Sequence, residues 1–153
     1  MYLRGLQNAL RSLNAIADVV PWGRKNKRDE ASHLRTGQRG EDDAYFWLRR
    51  HGYVVVARNW RSSRHRGELD LIGWDESVLC FVEVKTRNRR DVVTAEAAVD
   101  FDKQRELRAV AGDYLRRYDP QPAYRFDVMT VYNEPGREPQ ITLLRNAFAV
   151  RMP

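Results

Sequence analysis

Glu68-Leu69-Asp70-Leu71-Ile72-Gly73-Trp74-Asp75-Glu76-Ser77-Val78-Leu79-Cys80-Phe81-Val82-Glu83-Val84-Lys85 is the stretch on which the fold of this chain turns. Glu68 to Trp74 and Val78 to Lys85 are short, rich in β-branched and aromatic residues, and separated by Asp75-Glu76-Ser77, the pattern of a β-hairpin. With Asp75-Glu76 as a two-residue turn, Asp70 opposes Phe81, Glu68 opposes Glu83, and Arg66 opposes Lys85. Side chains alternate along a strand, and opposed residues share a face. Glu68, Asp70, Glu83 and Lys85 therefore fall on one face. Leu69, Leu71, Cys80, Val82 and Val84 fall on the other, which is apolar throughout. A one-residue slip would put the polar faces of the two strands on opposite sides of the sheet, so the register is well specified.

Three carboxylates gathered on one face repel one another and raise one another's pKa. A divalent cation removes that conflict, and Mg²⁺, with its hard oxygen ligands and retained waters, needs only one or two of them. Lys85, two residues from Glu83 on the same side, can orient an attacking water or help to deprotonate it. This is equipment for metal-assisted phosphodiester hydrolysis. The competing reading is a solvated surface strand on which Arg66, Lys85 and the acids form ion pairs. The apolar reverse face and the flanking arginines favour the first.

Outward from the hairpin the pattern is a compact α/β alternation. Thr36 suits the N-cap of a helix to about Arg50, with Gly52 just past its end, and Tyr53 to Ala57 reads as a strand. Thr94 to Tyr118 is helical with a break near Asp100, and its buried side carries Leu107, Val110, Ala111, Tyr114, Leu115 and Tyr118. Tyr124 to Val131 and Ile141 to Leu144 complete the set. The order α-β-β-β-α-β-β predicts a mixed sheet of about five strands flanked by helices.

The 153 residues suit one domain with its own core, and 42% hydrophobic residues argue against wholesale disorder. No uncharged apolar run approaches the roughly 20 residues of a membrane span. The single cysteine excludes an internal disulfide and points to a reducing, cytoplasmic setting. The net charge of +6 is unevenly placed: residues 1–40 hold eight basic and three acidic residues. Within residues 1–34, Leu3, Leu6, Leu10, Leu13, Ala17 and Val20 form an amphipathic helical stripe, followed by Pro21 and a basic linker, Arg24 to Arg28. We read 1–34 as an extension and 35–153 as the domain. Docking of residues 1–30 to a membrane surface or a partner, and pairing with a second copy of the chain, are expectations left open. The domain itself carries acid-free arginine clusters. Arg58, Arg61, Arg64 and Arg66 lie in one; Lys85, Arg87, Arg89 and Arg90 form the other. These suit phosphate contacts, and Lys103 at the start of the second helical stretch is a further candidate.

With the hairpin, Gly40-Glu41-Asp42-Asp43-Ala44 upstream and Arg125-Phe126-Asp127-Val128 downstream, the chain resembles the YraN-like family of predicted endonucleases. Asp70 followed by Glu83-Val84-Lys85 looks like the PD-(D/E)xK signature of restriction-endonuclease-like nucleases, with Leu69 where a Pro is loosely expected. The similarity spans about residues 36–148. It implies a three-layer α/β/α core, Asp70 and Glu83 as ligands of Mg²⁺ (Mn²⁺ substituting), and Lys85 as the catalytic lysine. Related Holliday-junction resolvases carry a further Glu on the first helix, a position matched by Glu41. Glu68 is either an additional ligand through water or a holder of Arg66 or Lys85.

The implied function is metal-dependent hydrolysis of DNA without strong sequence preference, since no base-reading element is evident. The alternative is a non-catalytic DNA-binding adaptor with the same fold. His33, His51 and His65 lack metal-type spacing. Cys80 reads as a buried thiol, Trp60 as a core or rim aromatic with a chance of stacking on a base, and Asp127 as a structural acid paired with an arginine.

Overall fold

A strong helix stop and a hairpin at the right distance explain how the chain enters its sheet. The computed structural model describes residues 27–87 and 99–150, with side chains from residue 36 onward. The elements follow in the expected order: α1 (Lys27–Arg50), β1 (Val54–Arg61), β2 (Glu68–Asp75), β3 (Val78–Arg87), α2 (Phe101–Leu115), β4 (Tyr124–Tyr132) and β5 (Gln140–Phe148). Gly52, at φ +88°, ends α1: its N–H bonds to the Arg49 carbonyl and the Tyr53 N–H to that of Leu48. This paired closure leaves Tyr53 and Leu48 buried in one cluster.

Helix α1 begins well before the expected cap. Thr36 lies inside it, Lys27 and Arg28 belong to its first turn, and it runs through residues 34 and 35. Thr36-Gly37 looks like a boundary in sequence, but a helical Gly costs only about 1 kcal/mol, and 24 residues of helix absorb both Gly37 and Gly40. The stripe from Leu3 to Val20 lies outside the described residues, as do Arg89 and Arg90. Among the described residues, no helix is long and apolar enough to cross a membrane.

The five strands lie in the sheet in chain order, antiparallel except for the β3–β4 pair, which α2 connects. One face packs on α1 through Ala44, Leu48, Leu71, Cys80, Val82, Met129 and Val131. The other packs on α2 through Ile72, Leu79, Phe81, Leu107, Val110, Tyr114 and Phe126. Burying each of these side chains stabilises the fold by roughly 1.5–3 kcal/mol, so the three layers hold each other. Of the helical stretch expected from Thr94 to Tyr118, residues 94–98 lie outside the described residues; α2 starts after Asp100, whose carboxylate caps it by accepting the Lys103 N–H at 2.8 Å, and ends at Leu115.

The hairpin register differs from the expected one. Asp75 pairs with Val78 and Ile72 with Phe81, so the turn is Glu76-Ser77, with Glu76 at φ +53°. Moving the turn by one residue moves every partner by two. Alternation survives such a shift, so Cys80 and Val82 still face α1, and Phe81 and Leu79 face α2.

Leu69 is the exception. Expected beside Leu71, it packs on the α2 side with Ile72. The cause lies in β1 opposite: Arg58 pairs with Leu71 and Trp60 with Leu69, and the intervening Asn59 is left-handed at φ +48°. Alternation is lost at that step, which also sends Glu68 away from the side of Glu83. The three-acid face expected from the hairpin is therefore a two-acid face.

Candidate active site

The backbone ladder between β2 and β3 reaches Leu71 and Val82. One residue further on, a side chain takes over: Oδ2 of Asp70 accepts the Val84 N–H at 2.7 Å. This holds the carboxylate against β3, beside Glu83. Asp70 is 9% exposed and Glu83 5%. Glu83 continues the line of Leu79 and Phe81 on the α2 face, so a run of core positions ends in an acid.

Two buried carboxylates side by side are unfavourable, and the electrostatics record it. Burial first, then the charge of Glu83, push the Asp70 carboxyl up from 3.8 to about 7. The Val84 N–H and Lys103 pull the other way, while Glu41 adds to the rise. Lys85 Nζ lies 2.8 Å from Glu83 Oε1, and Lys103 Nζ stands 3.8 Å from the same oxygen. Glu83 Oε2, by contrast, is buried with no hydrogen-bond partner. A buried carboxylate oxygen without a donor is an open valence of the fold.

Glu41 comes from the other layer. On α1, it accepts from the Asn59 amide at 2.7 Å, and its charge is felt at Asp70. The left-handed Asn59 thus has two effects, turning the strand and holding the helix carboxylate near the pair. Among the described residues no three His, Cys, Asp or Glu side chains are close enough to enclose a metal ion. The core of the site is the Asp70–Glu83 pair, with Glu41 at its margin.

Glu68 belongs to another group. Arg61 grips it through Nε and Nη2, at 2.9 and 2.8 Å. The expectation that it holds Arg66 or Lys85 is corrected: its partner is Arg61, seven residues earlier on β1. Arg58 pairs with Asp42 and lies over the Tyr45 ring. Arg64 and Arg66 are exposed on the loop between β1 and β2, and Arg87 is half-buried at the end of β3. Ser62 ties that loop down: its hydroxyl donates to Asp113 on α2 and accepts from the N–H groups of Arg64 and His65. The loop arginines are thereby presented from a fixed turn.

The remaining candidates settle into the structure. His51 stacks on Trp47 and contacts its carbonyl, and His65 lies 4.0 Å from Asp113. Cys80 is fully buried, with its thiol pushed up to about 12. Trp60 packs edge-on against Tyr114, and Arg117 already covers its ring. Asp127, fully buried, accepts twice from Arg125 Nε, at 2.9 and 3.0 Å, and from the Asn146 N–H. Arg125 reaches on to Asp75 and Tyr53. Sequence reasoning missed Asn59 and Glu106, the latter accepting from Lys103 Nζ at 3.0 Å. The three-residue spacing on a helix face was the only signal for Glu106.

Known proteins are similar to this chain in sequence. Residues 40–131, from the Gly before Glu41 to the penultimate residue of β4, match the model of the family described as Uncharacterised protein family UPF0102. A UPF0102 protein of Koribacter versatilis is 51% identical over 142 residues, 93% of each chain. That length takes the match well into residues 1–34. A UPF0102 protein of Solibacter usitatus is 47% identical over 113 residues, 73% of this chain and 84% of the other. One of Symbiobacterium thermophilum is 44% identical over 115 residues, 74% and 96% respectively. The chain therefore belongs to the UPF0102 family, the YraN-like group that its hairpin resembles.

Proposed function

We propose that this protein is a metal-dependent nuclease that hydrolyses DNA phosphodiester bonds at the Asp70–Glu83 pair. The observation that carries the proposal is the pair itself: two carboxylates buried against each other, one lifted to about 7 and the other with an oxygen left unpartnered. A fold that only needed stability would replace such a pair with apolar residues. The donor set fits Mg²⁺ or Mn²⁺, hard cations satisfied by two carboxylates and waters. Asp70 and Glu83 would hold the ion, and the charge of Glu41, felt at Asp70, would add to its attraction. A cation bound there supplies charge stabilisation at the phosphoryl group and makes water more acidic.

The chain supplies the rest. Lys85, once Glu83 is engaged elsewhere, is placed to orient the attacking water or to donate to a phosphate oxygen. Arg64, Arg66 and Arg87 offer contacts to the strand on either side, and contacts of that kind position without reading sequence. The test is incubation of the full chain with Mg²⁺ or Mn²⁺ and a panel of single-stranded, duplex and branched DNAs. Cleavage that disappears in Lys85→Ala and with EDTA is expected. Wild type and Lys85→Ala behaving identically, with EDTA without effect, would refute catalysis. Salt-sensitive binding that tolerates Asp70→Asn with Glu83→Gln would then leave a DNA-binding adaptor.

A further inference from the structure

Lys103 stands between two acids at different distances. Its Nζ is hydrogen-bonded to Glu106 Oε1 at 3.0 Å and lies 3.8 Å from Glu83 Oε1, beyond hydrogen-bond range. Lys85 already occupies that Glu83 oxygen at 2.8 Å. Were Glu106 absent, the nearest anion for Lys103 would be Glu83, and a second ammonium would close on the carboxylate pair. The lysine is thus held back from the pair by an acid of its own helix.

The restraint is built into both the helix and the adjoining loop. Asp100 caps α2 on the Lys103 N–H at 2.8 Å, and the Gln104 side chain bonds to the Val99 carbonyl at 3.0 Å, which fixes the first turn. The Glu106 carboxyl rests against Gly67: a Cβ on that glycine would lie 2.4 Å from Oε1 and 2.6 Å from the carboxyl carbon. Gly67 also has φ +103°, a conformation other residues rarely adopt. The chain is bare at Gly67, three residues before Asp70, where the Glu106 carboxyl needs room. Lys103 remains 28% exposed on its side chain, open to a ligand and on the side of the Gly67 loop that carries Arg64 and Arg66.

We propose that Glu106 positions Lys103 beside the Asp70–Glu83 pair as the ammonium that receives a phosphate oxygen of the nucleic-acid strand. The inference rests on the nuclease function proposed above. Lys103 then serves the anionic substrate and Lys85 the reacting water, while Glu106 keeps Lys103 from competing with a cation for Glu83.

Mn²⁺ titration of the full chain and cleavage kinetics on DNA from the panel test this together. In Lys103→Gln the Kd for Mn²⁺ falls by about threefold to tenfold, since a nearby positive charge is gone. In the same variant KM for DNA rises by roughly tenfold with kcat little changed, and Lys103→Arg recovers most of the loss. Glu106→Gln shifts the Mn²⁺ Kd the opposite way, upward by several-fold, because Lys103 is released onto Glu83, and most of that shift disappears when Glu106→Gln is made in the Lys103→Gln background. A purely structural role for the Lys103–Glu106 pair would weaken metal binding in both variants alike, and that result, or no shift in either, overturns the proposal. A wild type that binds Mn²⁺ but cuts nothing refutes the nuclease function, and DNA binding equally tight in wild type and Lys103→Gln then refutes the phosphate contact as well. Opposite Mn²⁺ shifts in that case still support the positioning role of Glu106. A wild type that binds no Mn²⁺ overturns both.

Discussion

Replacing Asp70 by Asn removes the charge that the fold tolerates worst while keeping the shape of the side chain. Raising a carboxyl from 3.8 to about 7 costs the folded protein about 4 kcal/mol once the group is ionised. The amide oxygen of Asn can still accept the Val84 N–H, and its NH₂ lies beside Glu83, whose Oε2 lacks a donor. Asp70→Asn should therefore be more stable than wild type by about 4 kcal/mol at pH 8, raising Tm by roughly 8–16 °C. The sign follows from proton counting. Between pH 4 and 7 the folded protein keeps a proton on Asp70 that the unfolded chain has lost, so wild-type stability falls as pH rises through that window. The advantage of the variant should shrink on acidification and vanish near pH 4. Thermal melts of both proteins from pH 4 to 8, with and without millimolar Mn²⁺, provide the assay. Mn²⁺ should raise the wild-type Tm and leave the variant unchanged. A variant less stable than wild type at pH 8, or a difference independent of pH, would refute the claim that Asp70 is a strained carboxylate.

Gly40→Ala places a methyl 2.0 Å from Thr86 Oγ1; overpacking of about 1–3 kcal/mol should exceed the helix-propensity gain of about 1 kcal/mol, and Thr86→Ala in the same chain should restore much of the loss in urea denaturation. Asp127→Ala takes one of two carboxylate partners from Arg125, which keeps Asp75, and leaves the Asn146 N–H without its acceptor; it should cost about 2–3 kcal/mol by the same measurement. Cys80, with its thiol raised to about 12, should not react with a thiol reagent at pH 8 until the protein unfolds, which a stopped-flow or manual absorbance assay can follow.

The faces of the central hairpin were legible because alternation survives a displacement of two. Asp75-Glu76 and Glu76-Ser77 are equally good turns, and the polar and apolar patterns are the same with either, so the sequence could assign the faces without assigning the partners. The left-handed step at Asn59 was not legible. Asn adopts that conformation readily, but nothing in the local pattern says that it does so opposite Asp70. For the same reason the expected third acid, Glu68, turned out to be bound to Arg61. Glu106 escaped notice because its meaning depends on Gly67, a contact between a loop and a helix that are far apart in the chain.

Two buried acids of the same sheet show how structure separates what composition cannot. Asp127 has its full complement of donors from Arg125 and Asn146, as its expected pairing with an arginine required. Glu83 has an oxygen with none. Both are Asp or Glu in apolar strands, and only the census of partners distinguishes an acid whose hydrogen bonds are complete from one with an oxygen left over.

The left-handed asparagines bear on how this molecule keeps company with its own kind. Asn59 lies in β1 and Asn146 in β5, the two outermost strands, and each strand also carries a register shift, near Val56 and near Asn146 itself. A visiting strand laid along either border would find donors and acceptors falling out of step after a few residues. Val54 and Val56, exposed on one of those borders, would otherwise invite fibril-like stacking. The kinks serve as a guard against self-templating, so an assembly of several copies would join through the helices that cover the sheet rather than by extending it.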